Sequence, residues 1–447
     1  MASASKTRDM TTGTIWKHIL LFALPLLAGN FFQQLYNAVD SVVVGNFVSS
    51  QALAAVGSTG PVINTLVGFF MGMSSGAGVV ISNYFGGKDE KRLHDAVHTT
   101  VFMTFLFCIA FTIIGILMVP FMIRFMKTPG DVVEESVRYL RIYFAGITGL
   151  MVYNMGSGIL RAVGDSKRPL YFLCVSSLIN IALDLLFVVG FHMGIAGVAY
   201  ATVIAQFISA GMVLWVLTRS QESYRLVWRD LRLSKGMLKK ICIIGIPAGL
   251  QTAVTSFSNV FVQSYINRFG SACMAGWTSY TKVDQFVILP MQSLSLAATT
   301  FVGQNVGAQH KERALEGRKT ALSMSLATTL ALTVGMILAA TPIIRLFTQE
   351  EAVLSYGRIF LQFMSPFYVC CCFNQITAGA LRGFGDSKGP MVIMLGSFVA
   401  FRQLYLAISS MLFGSIYAVA FAYPSGWILC SLWMGIYFHF SVKKGKL

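Results

Sequence analysis

Twelve apolar runs, each long enough to cross a bilayer, take up most of this chain. They cover residues 15–44, 52–84, 96–119, 132–160, 169–189, 196–218, 238–267, 273–305, 314–340, 353–380, 390–412 and 418–442. A membrane-spanning helix needs roughly 20 mostly apolar residues. Several runs are longer, so tilt, kinks or extension into water are expected. Strands of an outer-membrane barrel alternate polar and apolar residues over about ten positions, and these runs do not alternate. The expected fold is all-α and integral to a membrane, with twelve transmembrane helices. Composition agrees: 12% of the 447 residues are charged and 55% are hydrophobic, whereas soluble domains carry charge on about a quarter of their residues. That excludes a soluble enzyme, a disordered chain and a disulfide-stapled secreted domain. The first run is too long for a signal-peptide core and reads as an uncleaved first span.

A net charge of +16 would point a soluble protein toward nucleic acid. Here the bases sit between the apolar runs. With the amino terminus inside, the inner segments hold 25 of the 34 basic residues, from Lys6 and Arg8 at one end to Lys443, Lys444 and Lys446 at the other. The outer loops hold Arg124, Lys127, Arg268 and Arg345, and Arg138, Arg141 and Arg358 begin helices that enter from outside. The positive-inside rule therefore places both termini in the cytoplasm. Orientation accounts for the surplus charge, and no nucleic-acid partner is needed.

The chain repeats itself. Leu160-Arg-Ala-Val-Gly-Asp-Ser-Lys-Arg-Pro169 matches Leu381-Arg-Gly-Phe-Gly-Asp-Ser-Lys-Gly-Pro390 at seven of ten positions, with an offset of 221. Gly86 to Arg92 matches Gly307 to Arg313, and Arg124 matches Arg345, at the same offset. That offset spans six helices, an even number, so the fold is two parallel six-helix repeats related by an axis along the membrane normal. The expected domains are an N-lobe at 1–218, a cytoplasmic linker at 219–237 and a C-lobe at 238–447. The basic linker is expected either to lie on the anionic lipid surface or to be simply solvated. In each Gly-Asp-Ser-Lys loop, Gly serves the turn, Asp or Ser caps the next helix and Pro suits its first turn.

Ionisable groups inside spans are expensive and are functional hypotheses by default. Five qualify: Asp40, Asp184, Lys282, Asp284 and Arg402. At about 100° per residue, Gln33, Tyr36, Asn37 and Asp40 form one polar stripe on the first span. No base lies near Asp40 on that span, so its carboxylate is desolvated unless a proton or cation arrives. Asn180 and Asp184 share a face of the fifth span at a depth similar to that of Asp40. Asn154 and Thr202 add oxygen ligands from the fourth and sixth spans. Two carboxylates with amide and hydroxyl oxygens suit a hard monovalent cation or a shared proton; the structural alternative is a hydrogen-bonded packing cluster. In the second half, Asp284 is expected to pair with Arg402 or Lys282, with a substrate or coupling role as the alternative. Gln251 joins these as a cavity candidate.

Other features carry less. Gly68, Gly72 and Gly76 form a small-residue stripe on the second span, which implies close helix packing. Cys370, Cys371 and Cys372 are adjacent and point apart, which argues against a metal cluster. None of the six histidines forms a metal-binding motif, no nucleophile–base arrangement occurs, and neither a metal nor a cofactor is expected.

With these motifs the chain resembles the multidrug and toxic compound extrusion (MATE) family. The residues that carry the resemblance are Leu24-Pro25, Gln33 to Asp40, the Gly86-Gly87 loop, Val302-Gly-Gln-Asn-Val-Gly-Ala308 and the paired Leu-Arg-x-x-Gly-Asp-Ser-Lys segments. The resemblance implies a V-shaped bundle of two six-helix lobes that exports organic cations against H⁺ or Na⁺ influx, with no enzymatic activity. It matches Asp40 to the family's first-helix acid and Asn154, Asn180, Asp184 and Thr202 to its N-lobe cation cluster. It also matches Pro25 to the proline that bends the first helix in the DinF-type branch. The seventh and tenth helices, which bear acids in NorM-type members, offer Gln251, Gln263, Asn374 and Gln375 here. Small organic cations and membrane lipids are the expected partners of a monomer in a bacterial plasma membrane. The alternatives are a lipid-linked oligosaccharide flippase, which needs more cavity bases than Lys282 and Arg402, a membrane-embedded lipid-modifying enzyme, and a facilitator or channel.

Overall fold

The computed structural model describes residues 7–125, 128 and 130–445. Lys6, Lys127 and Lys446, three of the bases used to orient the chain, lie outside the described residues. The described residues form helices and connecting turns, with no strand among them. The first half runs α1 (Ile15–Phe47), α2 (Ser50–Gly86), α3 (Glu90–Phe125), α4 (Gly130–Ala145), α5 (Ile147–Ala162), α6 (Lys167–Asp184) and α7 (Gly194–Arg219). The second runs α8 (Lys235–Asn267), α9 (Ser271–Gly307), α10 (Lys311–Leu338), α11 (Ala340–Arg345), α12 (Glu351–Met364), α13 (Tyr368–Gly383), α14 (Lys388–Leu395), α15 (Arg402–Leu412), α16 (Ile416–Ala420) and α17 (Ala422–Lys443). Eleven of the resulting rods are long and apolar enough to cross a membrane. The twelfth is α4 with α5, broken at Gly146, where any side chain would meet Val203 at 2.3 Å. A π-helical turn, Leu185–Gly190, extends α6, and a second, Gly396–Phe401, joins α14 to α15.

The chain divides into two compact units, one holding residues 7–9 and 24–249, the other 10–23 and 250–445 of the described residues. Two of the changes of unit, at Leu24 and Leu250, fall inside α1 and α8, beside Pro25 and Pro247. A helix-interior proline lacks an N–H and leaves the carbonyl four residues back unpaired, which weakens the helix there.

The duplication extends to individual hydrogen bonds. Ser74 Oγ donates to the Asn154 carbonyl at 2.9 Å in the first unit. Ser295 Oγ, 221 residues on, donates to the Gln375 carbonyl at 2.7 Å in the second. In each unit a glycine lets the serine approach: a Cβ on Gly158 would sit 2.2 Å from Ser74 Oγ, and one on Gly379 2.5 Å from Ser295 Oγ. The Gly-Asp-Ser-Lys loops also correspond. Asp165 Oδ1 accepts from the Lys167 and Arg168 N–H groups at 3.2 and 3.1 Å, and Asp386 Oδ1 from the Gly389 N–H at 3.0 Å. Gly164 and Gly385 adopt φ of +86° and +93°, conformations that side chains disfavour.

The segment between α7 and α8 is not simply solvated but packs against the first unit. Tyr224 and Leu226 are buried in the core of the first unit. The Val227 N–H donates to His98 Nε2 at 2.9 Å, the Ser234 N–H donates to Thr99 Oγ1 at 3.2 Å, and Arg232 pairs with Asp95 at 2.7 Å. The hydrogen bond that Arg232 donates to Asp95, reinforced by the carboxylate's charge, holds the Arg232 guanidinium above its ordinary pKa. Apolar residues set among the bases supply the burial, and one face of α3 supplies the anchors. His94 lies 3.4 Å from Asp230 and stacks on His98. His98 has no lone pair left for a metal, because Nδ1 donates to the His94 carbonyl at 2.8 Å and Nε2 accepts from Val227. His98→Leu orphans the Val227 N–H at a cost of ~1–3 kcal/mol. Limited trypsin digestion at Arg225, Arg229 and Arg232 is therefore expected to accelerate about tenfold; an unchanged rate would show that the strap does not depend on His98.

Candidate functional site

The first unit encloses a cavity of about 210 Å³. The polar stripe of α1 forms one wall, with Gln33, Tyr36 and Asn37 in the lining above Pro25, Gly29 and Asn30. From Pro25 to Asn37 that wall is about 18 Å long at 1.5 Å per residue. Facing it are Tyr143, Tyr153 and Asn154 of the broken rod, Ser177 and Asn180 of α6, and Thr202 and Gln206 of α7. Gly149 brings α5 against α7, since a Cβ there would lie 2.8 Å from the Phe207 nitrogen.

Asp40 continues the stripe one turn beyond Asn37, and Asp184 ends α6 one turn beyond Asn180. The two carboxylates come within hydrogen-bonding reach of each other. Asp184 is fully buried, and neither of its oxygens has a hydrogen-bond donor among the described residues. Neither acid takes part in an ion pair within the described residues. Asn180, 2% exposed, has no hydrogen-bond partner for either amide atom among the described residues. Asn154 spends its N–H on the Leu150 carbonyl at 2.9 Å, and Thr202 its O–H on the Val198 carbonyl at 3.0 Å. Each is thereby left with an oxygen that accepts. The grouping is a set of acceptor oxygens from four helices, which is the donor chemistry a hard cation or a proton requires. Tyr36 and Tyr139 lie within electrostatic reach of both acids.

Gln251, Lys282, Asp284 and Arg402, expected as cavity residues, do not line this cavity and belong to the second unit. The ion pair expected for Asp284 does not form. Asp284 accepts from Tyr280 at 3.3 Å and from Tyr368, whose hydroxyls meet at 2.9 Å. Arg402 donates to Ser258 Oγ at 3.0 Å and Asn259 Oδ1 at 2.8 Å, and stacks 4.6 Å over Tyr423. Lys282 is exposed, with its ammonium 5.8 Å from the Phe347 ring. Gln251 Nε2 donates to Met394 Sδ at 3.0 Å. The reason is rotational: Asp284 turns toward α13 and Arg402 toward α8, and depth along a helix says nothing about azimuth. A double-mutant cycle is expected to couple Tyr368→Phe with Asp284→Asn by ~0.5–3 kcal/mol and to leave Arg402→Gln additive with Asp284→Asn within about 0.5 kcal/mol. The reverse pattern in unfolding measurements would restore the ion pair.

A family profile, MatE, matches residues 25–186 and again 247–408, one match in each repeat. The chain belongs to the MATE family. Its relatives include the probable multidrug resistance protein YoeA of Bacillus subtilis (strain 168), 29% identical over 99% of this chain and 97% of that protein. Among solved structures, a MOP superfamily transporter from Pyrococcus furiosus Vc1 (DSM3638) superposes with a TM-score of 0.91 at 23% identity, covering 97% of both chains. An outward-facing multidrug resistance MATE family transporter of the MOP superfamily superposes with a TM-score of 0.91 at 22% identity, covering 99% of both. This MATE chain is thus a multi-pass membrane transporter and not an enzyme.

Some residues of this MATE cavity escaped the sequence reading. Tyr143 sits on amphipathic α4, which reads as an ordinary packing helix. Gln206 follows Thr202 by one turn on α7, a spacing that was available as a signal. Arg161 lines the cavity as well, although its place in a repeated loop motif marks it as structural.

Proposed function

We propose that this transporter is a cation-coupled antiporter that exports organic cationic or amphipathic compounds from the cytoplasm by alternating access. The observation that supports this reading is the pair of facing acids, Asp40 and Asp184, with no basic partner among the described residues, at one end of a polar cavity. Two carboxylates in contact away from water cannot both hold charge unless a proton or cation sits between them. With both termini in the cytoplasmic compartment of a bacterial plasma membrane, as the distribution of basic residues favours, the acids lie at the outer end of the cavity. A proton or Na⁺ arriving from outside neutralises the pair, weakens its hold on a cationic guest and releases that guest outward. Asn154, Asn180 and Thr202 supply the remaining ligands. Only such a difference in affinity between states drives transport. Pro25 is the hinge that lets α1 bend as the cavity fills and empties.

The test is ethidium efflux from vesicles with ΔpH and Na⁺ gradients imposed separately. Efflux driven by one gradient and abolished by its collapse is expected; efflux indifferent to both makes the protein a facilitator.

A further inference from the structure

We propose that the inner end of the cavity is an anion subsite built on Arg161, so that the preferred cargo is a zwitterion: an organic cation that also bears a carboxylate. This rests on the cavity being the export site and specifies its substrate class.

Arg161 is the penultimate residue of α5 and lines the cavity beside Pro25, Ser166 and Pro169. A guanidinium has five N–H donors and no acceptor. Among the described residues, Arg161 enters no ion pair and donates no side-chain hydrogen bond. Its electrostatic neighbour is Tyr153, whose hydroxyl already donates to the Pro169 carbonyl at 3.1 Å. Other arginines spend their donors within the protein. Arg168 pairs with Asp165 at 3.3 Å, Arg313 binds the Thr12 and Gly13 carbonyls at 3.0 and 2.8 Å, Arg318 binds Thr377 at 3.0 Å, and Arg402 binds Ser258 and Asn259. Arg161 keeps its planar fork for whatever enters the cavity.

Ser166 and Pro169, both in the lining, bracket the start of α6, whose first N–H groups are already taken by Asp165, so the subsite rests on the Arg161 guanidinium. At the far end, about 22 Å away along α1 from Pro25 to Asp40, lies the carboxylate pair. Amides of Asn30, Gln33, Asn64 and Gln206 line the stretch between. A carboxylate on the guest matches the guanidinium fork with two parallel hydrogen bonds, and the guest's cationic part faces the polar lining that leads to the acids. A simple cation leaves Arg161 unsatisfied and is repelled by it.

Rhodamine 110 and rhodamine 123 share one cationic fluorophore and differ in a single group, a free carboxylate in the first and its methyl ester in the second. Binding of each to the purified full-length protein is read by fluorescence polarisation in nanodiscs, with no gradient present. The wild type is expected to bind rhodamine 110 at least about tenfold more tightly, and Arg161→Gln to lose about tenfold for rhodamine 110 with less than about twofold change for rhodamine 123. Arg161→Lys keeps the charge without the fork and retains part of the preference, which serves should Arg161→Gln fail to fold. Equal affinities in the wild type, or equal weakening of both dyes by Arg161→Gln, overturns the subsite. Gly29→Phe, or Gly29→Leu as the smaller change, narrows the cavity and is expected to weaken both dyes. If neither dye responds, both bind elsewhere and the cavity assignment falls with the subsite. Loss of gradient dependence in the ethidium assay, by contrast, removes the coupling and leaves this binding preference standing.

Discussion

Asp40→Asn is expected to abolish gradient-driven efflux while the protein still folds. Exchanged one for one with a monovalent cation, a proton entering down one pH unit contributes ~1.4 kcal/mol, enough for a cargo ratio of about 10, because the electrical gain of the proton is cancelled by the outgoing charge. Without an acid to carry that proton, the ratio sinks toward one. Asp184→Asn is expected to do the same, because the two acids face each other and act as one unit. Neither change removes a native ion pair, and the Asp184 oxygens accept no hydrogen bond among the described residues, so the amide is tolerated. Asp284→Asn, in the second unit and tied to two tyrosines, is expected to leave the coupling ratio unchanged. Accumulation ratios of a fluorescent cation in vesicles of defined ΔpH and potential measure all three. Full accumulation by Asp40→Asn would exclude it as the coupling acid.

The largest effect on stability is expected at the α2–α8 crossing within the first unit. A Cβ on Gly72 would lie 2.2 Å from the Gly249 nitrogen, and one on Gly76 would lie 2.4 Å from the Gly245 Cα. Both clashes are with backbone, which has no rotamer to escape into. Gly72→Leu or Gly76→Leu must push two helices apart along their whole crossing, at a cost above the ~1–3 kcal/mol usual for overpacking. A sharp fall in Tm and in the yield of monodisperse protein is expected. Gly57, around which a Cβ meets nothing within 4 Å, is the control; Gly57→Ala is expected to be neutral or to stabilise by up to ~1 kcal/mol. A Gly76→Leu protein that melts with the wild type would mean that the helices do not cross so closely.

The glycine stripe on α2 was legible as a packing face, but its partner was not. Hydropathy named the helix and small residues named the face, while only the folded chain pairs Gly72 with Gly249 and Gly76 with Gly245. The candidate site divides in the same way. The stripe from Gln33 to Asp40 and the Asn180–Asp184 pair were readable from helical spacing. The contact between the acids was an inference from similar depth, and the tyrosines around them were overlooked because a search for ionisable groups deep inside spans passes over neutral phenols. The ion pair expected for Asp284 failed because two tyrosines supply donors that a search restricted to charges overlooks.

From the residues alone follow the all-helical membrane fold, the twelve rods, the parallel duplication and the acids that do not belong in hydrocarbon, because hydrophobic length, periodicity and repetition are properties of the chain read in order. Only the tertiary structure decided which polar group meets which. It strapped the 220–234 segment onto α3, brought Asp40 to Asp184, gave Asp284 to Tyr280 and Tyr368, and left Arg161 in the cavity lining without an ion pair among the described residues. Those pairings depend on the azimuth of each helix against its neighbours, which is set by packing across the whole unit and by no local run of sequence.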